Sequence, residues 1–375
     1  MGLQDNQRGP HMDLVEAPSP SVTKKGKKPT PLLTEFIIQL LNRGVIELLQ
    51  SEKCFISHLF PVPKKGSDKL RWILDLSVLN KFITKKSFKM LTYDHLRHLL
   101  PPNAWISKVD LKDAYYHVPV APRYRKFLVF AVGDVTYQFT VMPFSLTIAP
   151  KVFTKLANIP REILAKECIR TFAYLDDWLI EGNSFTHCQR ATQHKLVLFQ
   201  NLGLKINQVK SNLIPGQKLD WLGLHWDTNQ QSVSLPEAKV TDAINQVEAF
   251  CVKQKISWHD WEKLLGLLNF ATRVVPLGKL RKKQLTHLGS KLLHRSRNIA
   301  SSLPIQIKNH LSWWTNLDNL IGSSPWVPPQ TDLVVCTDAS KIGWGYHSSK
   351  GELRQGKWSN PLWDQHINKK ELAVQ

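Results

Sequence analysis

The run TFAYLDDWLIE, residues 171–181, sets the strongest limit on how this chain folds. Two neighbouring carboxylates, Asp176 and Asp177, interrupt an otherwise apolar stretch. The flanks, 169–175 and 178–180, are rich in β-branched and aromatic residues, which predicts two strands joined by a tight turn. Adjacent aspartates at the tip of a buried hairpin repel one another and resist desolvation. A bound cation relieves both effects, whereas a solvated Asp-Asp turn is the commonest fate of such a pair. The cation reading therefore requires a third carboxylate from elsewhere in the chain.

WISKVDLKDAYYHVPV, residues 105–120, supplies one. Residues 106–109 predict a short apolar strand ending at Asp110, and a carboxylate at the C-terminal end of a core strand faces the crevice where ligands bind. Asp113, a turn later, reads as a capping or structural residue. Strands bearing Asp110 and Asp176 are expected to pair side by side, which brings three carboxylates to one group of strand ends.

Charge then narrows the partner. The chain has 375 residues, enough for two or three domains, and its 50 Lys+Arg against 30 Asp+Glu leave a net charge of +20. Such an excess favours a polyanion. No apolar run approaches the ~18 residues of a membrane span, and the N-terminus lacks the apolar stretch of a secretory signal. Nucleic acid is thus the expected partner rather than a membrane, and the expected location is intracellular, cytoplasmic or nuclear. The five cysteines (Cys54, Cys168, Cys188, Cys251 and Cys336) are scattered. They predict neither a disulfide framework nor a zinc site, which fits a reducing compartment.

Along the chain, residues 1–30 are polar and Pro-rich, end in the cluster Lys24-Lys25-Gly26-Lys27-Lys28, and read as a disordered basic arm. Apolar residues recur at helical spacing over 32–50, with Gly44 marking a helix end. Residues 58–62 and 70–76 predict a hairpin whose turn carries Lys64 and Lys65, with Lys69 and Arg71 beside it; either a solvated basic turn or a phosphate-binding hairpin fits. Residues 127–132 and 135–140 flank Gly133-Asp134, a two-residue hairpin signal. A helix is expected from about Leu146, with Pro150 in its first turn. Another runs from an N-cap at Ser184 to Gly203. Residues 205–208 predict a strand, and 219–227 a closing hairpin. Helices are expected over 236–252, 258–274 and 305–321. Among them lie Lys279, Arg281, Lys282 and Lys283, and then Lys291, His294, Arg295 and Arg297. Trp313-Trp314 reads as core packing rather than a stacking platform.

Several of these segments together resemble a reverse transcriptase, over roughly residues 35–230. VDLKDAYYHV resembles the family's first catalytic motif, MPFSLTIAPKVF its template-positioning motif, and YLDD its signature loop; NLGLKINQVKS and WLGLHWD resemble the motifs that follow. VPKKGSDKLRWILDLSVLN and YLDDWLI are most similar to DIRS-type tyrosine-recombinase retrotransposons. The resemblance implies an α+β right-hand polymerase, with fingers and palm over 31–230 and a helical thumb or connection over 231–325. It implies that Asp110, Asp176 and Asp177 hold two Mg2+ ions, with Mn2+ as the alternative. Lys65 (or Lys64, if the loop register differs), Arg71, Leu111, Tyr115, Phe144 and Lys210 match positions around the incoming deoxynucleoside triphosphate. Tyr115 matches the steric gate against a ribose hydroxyl, and Lys210 a proton donor near the leaving phosphate. Trp221, Leu222, Gly223 and Leu224 match the primer grip. The implied partners are an RNA template, a DNA primer and their RNA–DNA hybrid. Ser145 stands where related sequences usually carry Gly, which permits backbone conformations and close approach that Ser resists.

After a Pro-rich stretch, DLVVCTDASKIGWGYHSSKGELRQGKW (332–358) resembles the start of a ribonuclease H domain, with Asp338 and Glu371 matching its first two acidic metal ligands. Residues 326–375 are therefore expected to form the N-terminal part of a truncated α/β domain without independent ribonuclease H activity. Two rivals to an RNA-directed DNA polymerase are a non-catalytic nucleic-acid-binding remnant of a retroelement and a ribonuclease H enzyme.

Overall fold

The computed structural model describes residues 12–16, 18–19, 26–49, 54–63, 70–292, 303–326 and 332–358. They fall into two compact units, Met1–Ser324 and Pro325–Gln375.

The first unit is built around a four-stranded antiparallel sheet. Its strands are β4 (Trp105–Asp110), β7 (Arg170–Tyr174), β8 (Asp177–Gly182) and β9 (Asn212–Gly216), in the order β7-β8-β4-β9. The central pair is buried on both faces, so β8 reads almost continuously apolar (WLI) rather than alternating. Helix α5 (Phe185–Asn201) lies across β4, β8 and β9, and α4 (Ala149–Lys166) packs on β7. Trp178 of β8 meets Phe199 of α5 edge-on at 5.0 Å, and both are fully buried. As the sequence predicts, α5 is capped by Ser184, whose side chain accepts from the His187 amide, and it ends before Gly203 at φ 71°.

On the N-terminal side of the sheet are α1 (Pro31–Asn42), β1 (Ile46–Leu48), the hairpin β2–β3 (His58–Pro63 and Leu70–Asp75), and α2 (Tyr93–Leu99). One-turn α3 (Pro122–Arg125) precedes the hairpin β5–β6 (Val129–Val132 and Val135–Phe139), which turns at Gly133 with φ 57°. After β9 come β10 (Lys218–Trp221), β11 (Leu224–Asp227) and β12 (Ser232–Ser234), then α6 (Glu237–Cys251), α7 (Trp258–Ala271), α8 (Gly278–Leu292), α9 (Ile305–Leu311) and α10 (Leu317–Leu320).

Four expectations need correction. The arm 1–30 is not disordered throughout: Met12 is 2% exposed and 12–16 runs beside 82–84, while Lys27 bridges Val132. An apolar anchor and spare backbone partners outweigh the polar composition there. Residues 205–208 are not a strand. They touch the end of β4 through the single bridge Leu111–Ile206 and then turn, with the Asn207 carbonyl accepting from the Ser211 amide and hydroxyl. The helix expected from Leu146 starts at Ala149, because Asn80 holds 145–147 in a turn by donating to the Ser145 carbonyl and accepting from the Thr147 amide, both at 2.9 Å. The helix expected over 305–321 is broken into α9, a 3-10 turn at Ser312–Trp314 and α10, which restarts at Asn316 as N-cap. Its apolar spacing survives the break because Leu311, Trp314 and Leu320 are all fully buried.

The second unit contains three antiparallel strands in sequence order, Val335–Ala339, Gly343–Ser348 and Leu353–Lys357. Asp338 lies exposed in the first. Lys64, Lys65, Lys69, His294, Arg295, Arg297, Glu371 and the helix expected near it lie outside the described residues.

Candidate active site at the β4–β8 strand ends

Asp110 is the last residue of β4 and Asp177 the first of β8, and the two are register partners. Such partners have Cα atoms about 4.5–5.5 Å apart. Asp176 occupies the turn before β8, and its carbonyl accepts from the Leu111 amide at 2.9 Å. The three acids predicted from distant stretches of sequence therefore share one edge. The strand that pairs with β4 is the one beginning at Asp177, not the one preceding Asp176.

The turn itself is tight. Tyr174 pairs with Asp177, leaving Leu175 and Asp176 as its central residues, and Leu175 is left-handed at φ 54°. A branched side chain there costs on the order of 1–3 kcal/mol. The surrounding sheet imposes that conformation.

Burial raises the pKa of Asp176 above the ordinary carboxylate value, and nearby Asp110 adds to the rise; Lys210 and Arg71 partly oppose it. Burial also raises Asp177, with Lys108 the main opposing charge and Asp176 and Asp110 reinforcing the rise. Asp177 Oδ1 is buried without a hydrogen-bond donor, and its cation, Lys108 Nζ, stands 3.8 Å away. Asp110 is 6% exposed; its amide donates to Ser211 Oγ and its carbonyl accepts from the Asn207 amide. Among the described residues no three His, Cys, Asp or Glu side chains converge closely enough to form a finished metal cage. The donor set nevertheless suits a hard divalent ion: all oxygen, partly dehydrated, with one oxygen lacking a donor.

Tyr115 flanks this edge. Its ring lies 5.3 Å from that of Phe144 and 5.9 Å from that of Phe153, and burial, then Asp176, pushes its hydroxyl pKa up to about 12. Phe144 is 40% exposed and also contacts Tyr116 at 5.3 Å. Arg71, exposed on β3, is close enough to influence both Asp176 and Tyr116. Lys210 lies exposed on the turn after Asn207. Leu111 is 1% exposed, so its side chain belongs to the core and its amide is committed to Asp176. Ser145 has no positive φ, so its side chain brings no left-handed strain. Asp113, at φ 51°, pairs with Arg43 at 2.7 Å and is structural.

Trp221 and Leu224 are each 1% exposed and anchor the β10–β11 hairpin, whose tip residues Leu222 and Gly223 are left-handed at φ 50° and 75°. A cleft of about 580 Å³ joins that tip to Asp177 and is also lined by Lys239, Phe270 and Arg273. Lys239 Nζ lies 4.0 Å, and the Arg273 guanidinium 5.4 Å, from the Phe270 ring centre. These three residues are absent from the expected site, since helical spacing alone gives no sign that α6 and α7 reach it. Lys108 was within reach of sequence reasoning: it stands two residues before Asp110, hence on the same face of the strand.

The family described as reverse transcriptase (RNA-dependent DNA polymerase) matches residues 62–226. Protein P of heron hepatitis B virus is 26% identical over 240 residues, 62% of this chain and 29% of that protein. The enzymatic polyprotein of figwort mosaic virus (strain DxS) is 23% identical over 325 residues, 82% of this chain and 44% of that protein. The chain thus spans less than half the length of these relatives. Among solved structures, the foamy viral protease-reverse transcriptase dRH in complex with dsDNA superposes with a TM-score of 0.73 at 18% identity, covering 98% of this chain and 64% of that one. Residues 62–226 are thus similar to reverse transcriptases, and the chain shares the mixed α and β fold of that structure.

Proposed function

We propose that this chain is an RNA-directed DNA polymerase that adds deoxynucleotides to a primer 3′-hydroxyl, as part of a retrotransposon polyprotein of the DIRS type. The observation that carries this reading is the registration of Asp110 against Asp177, with Asp176 tied to Leu111 beside them. These carboxylates would hold two Mg2+ ions. Bound there, the ions would lower the pKa of the primer hydroxyl and stabilise the departing pyrophosphate. Arg71 and Lys210 supply positive charge near Asp176 for the triphosphate, together with Lys65, which lies between β2 and β3 in the sequence. Tyr115, wedged against Phe144 and Phe153, presents a rigid ring that excludes a ribose hydroxyl. The strained tip at Leu222 and Gly223 positions the primer end. In this reading 31–230 are fingers and palm and 231–325 the thumb, and the protein works inside the cell on a template–primer hybrid. Residues 326–375 begin a ribonuclease H-like domain, with Asp338 and Glu371 as two of its acidic ligands.

Primer extension on an RNA template with Mg2+ tests the proposal. Wild type extends the primer, and Asp176→Asn lowers the rate by at least about 10²-fold, the scale of removing an electrostatic group from a transition state. The unfinished carboxylate cage and the Lys108–Asp177 pair favour one second reading, a nucleic-acid-binding remnant. Salt-sensitive hybrid binding with no extension by wild type would establish that remnant instead.

A further inference from the structure

The segment 205–211, which carries Lys210, lies against the end of β4, yet none of its residues is buried. Val209 is 96% exposed. With so little apolar anchoring, the segment is held by hydrogen bonds. The Lys112 amide donates to the Lys205 carbonyl, and the Asn207 amide to the Asp110 carbonyl, both at 2.8 Å. The Lys205 amide instead donates to a side chain, Nε2 of His117, at 2.9 Å.

His117 is half-buried at the end of the 3-10 turn Ala114–His117, and its other nitrogen, Nδ1, lies 3.1 Å from the Ala114 carbonyl oxygen. An amide N–H only donates, so Nε2 must offer its lone pair. The ring's single proton then sits on Nδ1, where the Ala114 carbonyl accepts it. One neutral tautomer thus satisfies both nitrogens. A second proton, on Nε2, would meet the Lys205 N–H donor against donor. The charged groups facing the ring are Asp113, just before the turn, Arg43 at the end of α1, and Lys205 itself. Burial, the largest cause, holds the His117 pKa below the ordinary histidine value; Lys205 and Arg43 act in the same direction, and the Ala114 carbonyl and Asp113 oppose them. Arg43 and Asp113 are paired with each other at 2.7 Å, so much of their effect on the ring cancels.

We propose that His117 is a positioning residue: in its Nδ1–H form it clamps 205–211 to the end of β4 and so holds Lys210 near Asp176 and Asp177, and a proton arriving on Nε2 opens the clamp. The charge of Lys210 is felt at both carboxylates. It is connected to the clamped amide through a turn whose Asn207 carbonyl accepts from the amides of Lys210 and Ser211. What Lys210 does beside the carboxylates rests on the proposed polymerase activity; the clamp does not.

The test is hydrogen exchange of the full chain at pH 7.5 and 5.5, read by mass spectrometry over 205–211 and expressed relative to intrinsic amide rates. Wild-type protection should fall about three- to tenfold at the lower pH, the scale of one hydrogen bond. His117→Gln sets an amide oxygen as many bonds from the backbone as Nε2 and does not titrate, so its protection should be equal at both pH values. His117→Leu should lack that protection at both. A His117→Leu chain that melts like wild type and protects the segment equally well would overturn the proposal, as would a loss in His117→Gln as large as that in wild type. Primer extension is measured on the same samples. Protonation of the carboxylates slows both chains alike, so the ratio of the His117→Gln rate to the wild-type rate should rise about threefold or more from pH 7.5 to 5.5. A flat ratio would overturn the link between the clamp and Lys210. Extension with exchange indifferent to His117 removes the clamp and leaves the polymerase; the expected exchange without extension by any sample does the reverse.

Discussion

At the scale of single residues, the acids at the β4–β8 edge are held against their own solvation. Burial, reinforced by mutual repulsion, raises Asp176 and Asp177, so above the ordinary Asp value the folded chain binds protons more tightly than the unfolded one. Their contribution to stability therefore falls as pH rises through that window, a loss that a bound cation offsets. Asp176→Asn should raise Tm at pH 7.5 in a chelator, whereas Mg2+ should raise Tm for wild type more than for the variant, both read by thermal melting. Lys195 poses a different problem. It is fully buried, its Nζ lies 4.1 Å over the Trp178 ring and 5.2 Å from that of Phe199, and it has no hydrogen-bond partner. A desolvated cation–π contact gives about 2 kcal/mol, less than isolating an ammonium from water costs. Burial accordingly moves its pKa well below the ordinary lysine value, which favours the neutral amine in the fold. Between the depressed and ordinary values the unfolded chain binds the extra proton, so stability rises with pH across that interval. Lys195→Met should raise Tm at pH 7 and flatten this alkaline rise.

At the scale of elements, legibility followed local chemistry. The limits of α5 were readable because Ser184 and Gly203 each perform a capping task that few residues perform. The β5–β6 turn was readable from Gly133 for the same reason. Residues 205–208 were misread because an apolar alternation also suits a segment that touches a sheet edge once and leaves. The break after α9 was invisible because buried side chains on both sides of it preserve a helical rhythm. A tertiary demand that no pattern announces falls on Gly182, the last residue of β8. A Cβ there would sit 2.6 Å from the Cys188 amide nitrogen and 2.7 Å from its Cα, both in the first turns of α5. Backbone cannot swing aside as a side-chain tip does, so Gly182→Ala should cost about 1–3 kcal/mol, seen as a lower denaturant midpoint.

For the whole molecule, the excess of 20 positive charges pointed to a polyanion but could not say where one would lie. Lys85 and Lys86 share one trough with Lys151 and Lys155 of α4, and Lys239 of α6 and Arg273, just past the end of α7, reach the cleft beside Leu222 and Gly223 from segments whose packing partners are not written in their own spacing. The three acids were legible because each interrupts or ends an apolar strand, and their mutual registration needed only the pairing of those strands. The sheet order also has a temporal side. β4 lies between β8 and β9, both of which are made after it. On the ribosome, Asp110 therefore emerges at the end of a strand with two open edges, and its counterparts follow only after α4 has been synthesised. Closing such long-range pairs is slow, so the acidic edge should be among the last parts of the first unit to form during synthesis, and a nascent chain halted before β8 would expose β4 to pairing with a neighbour.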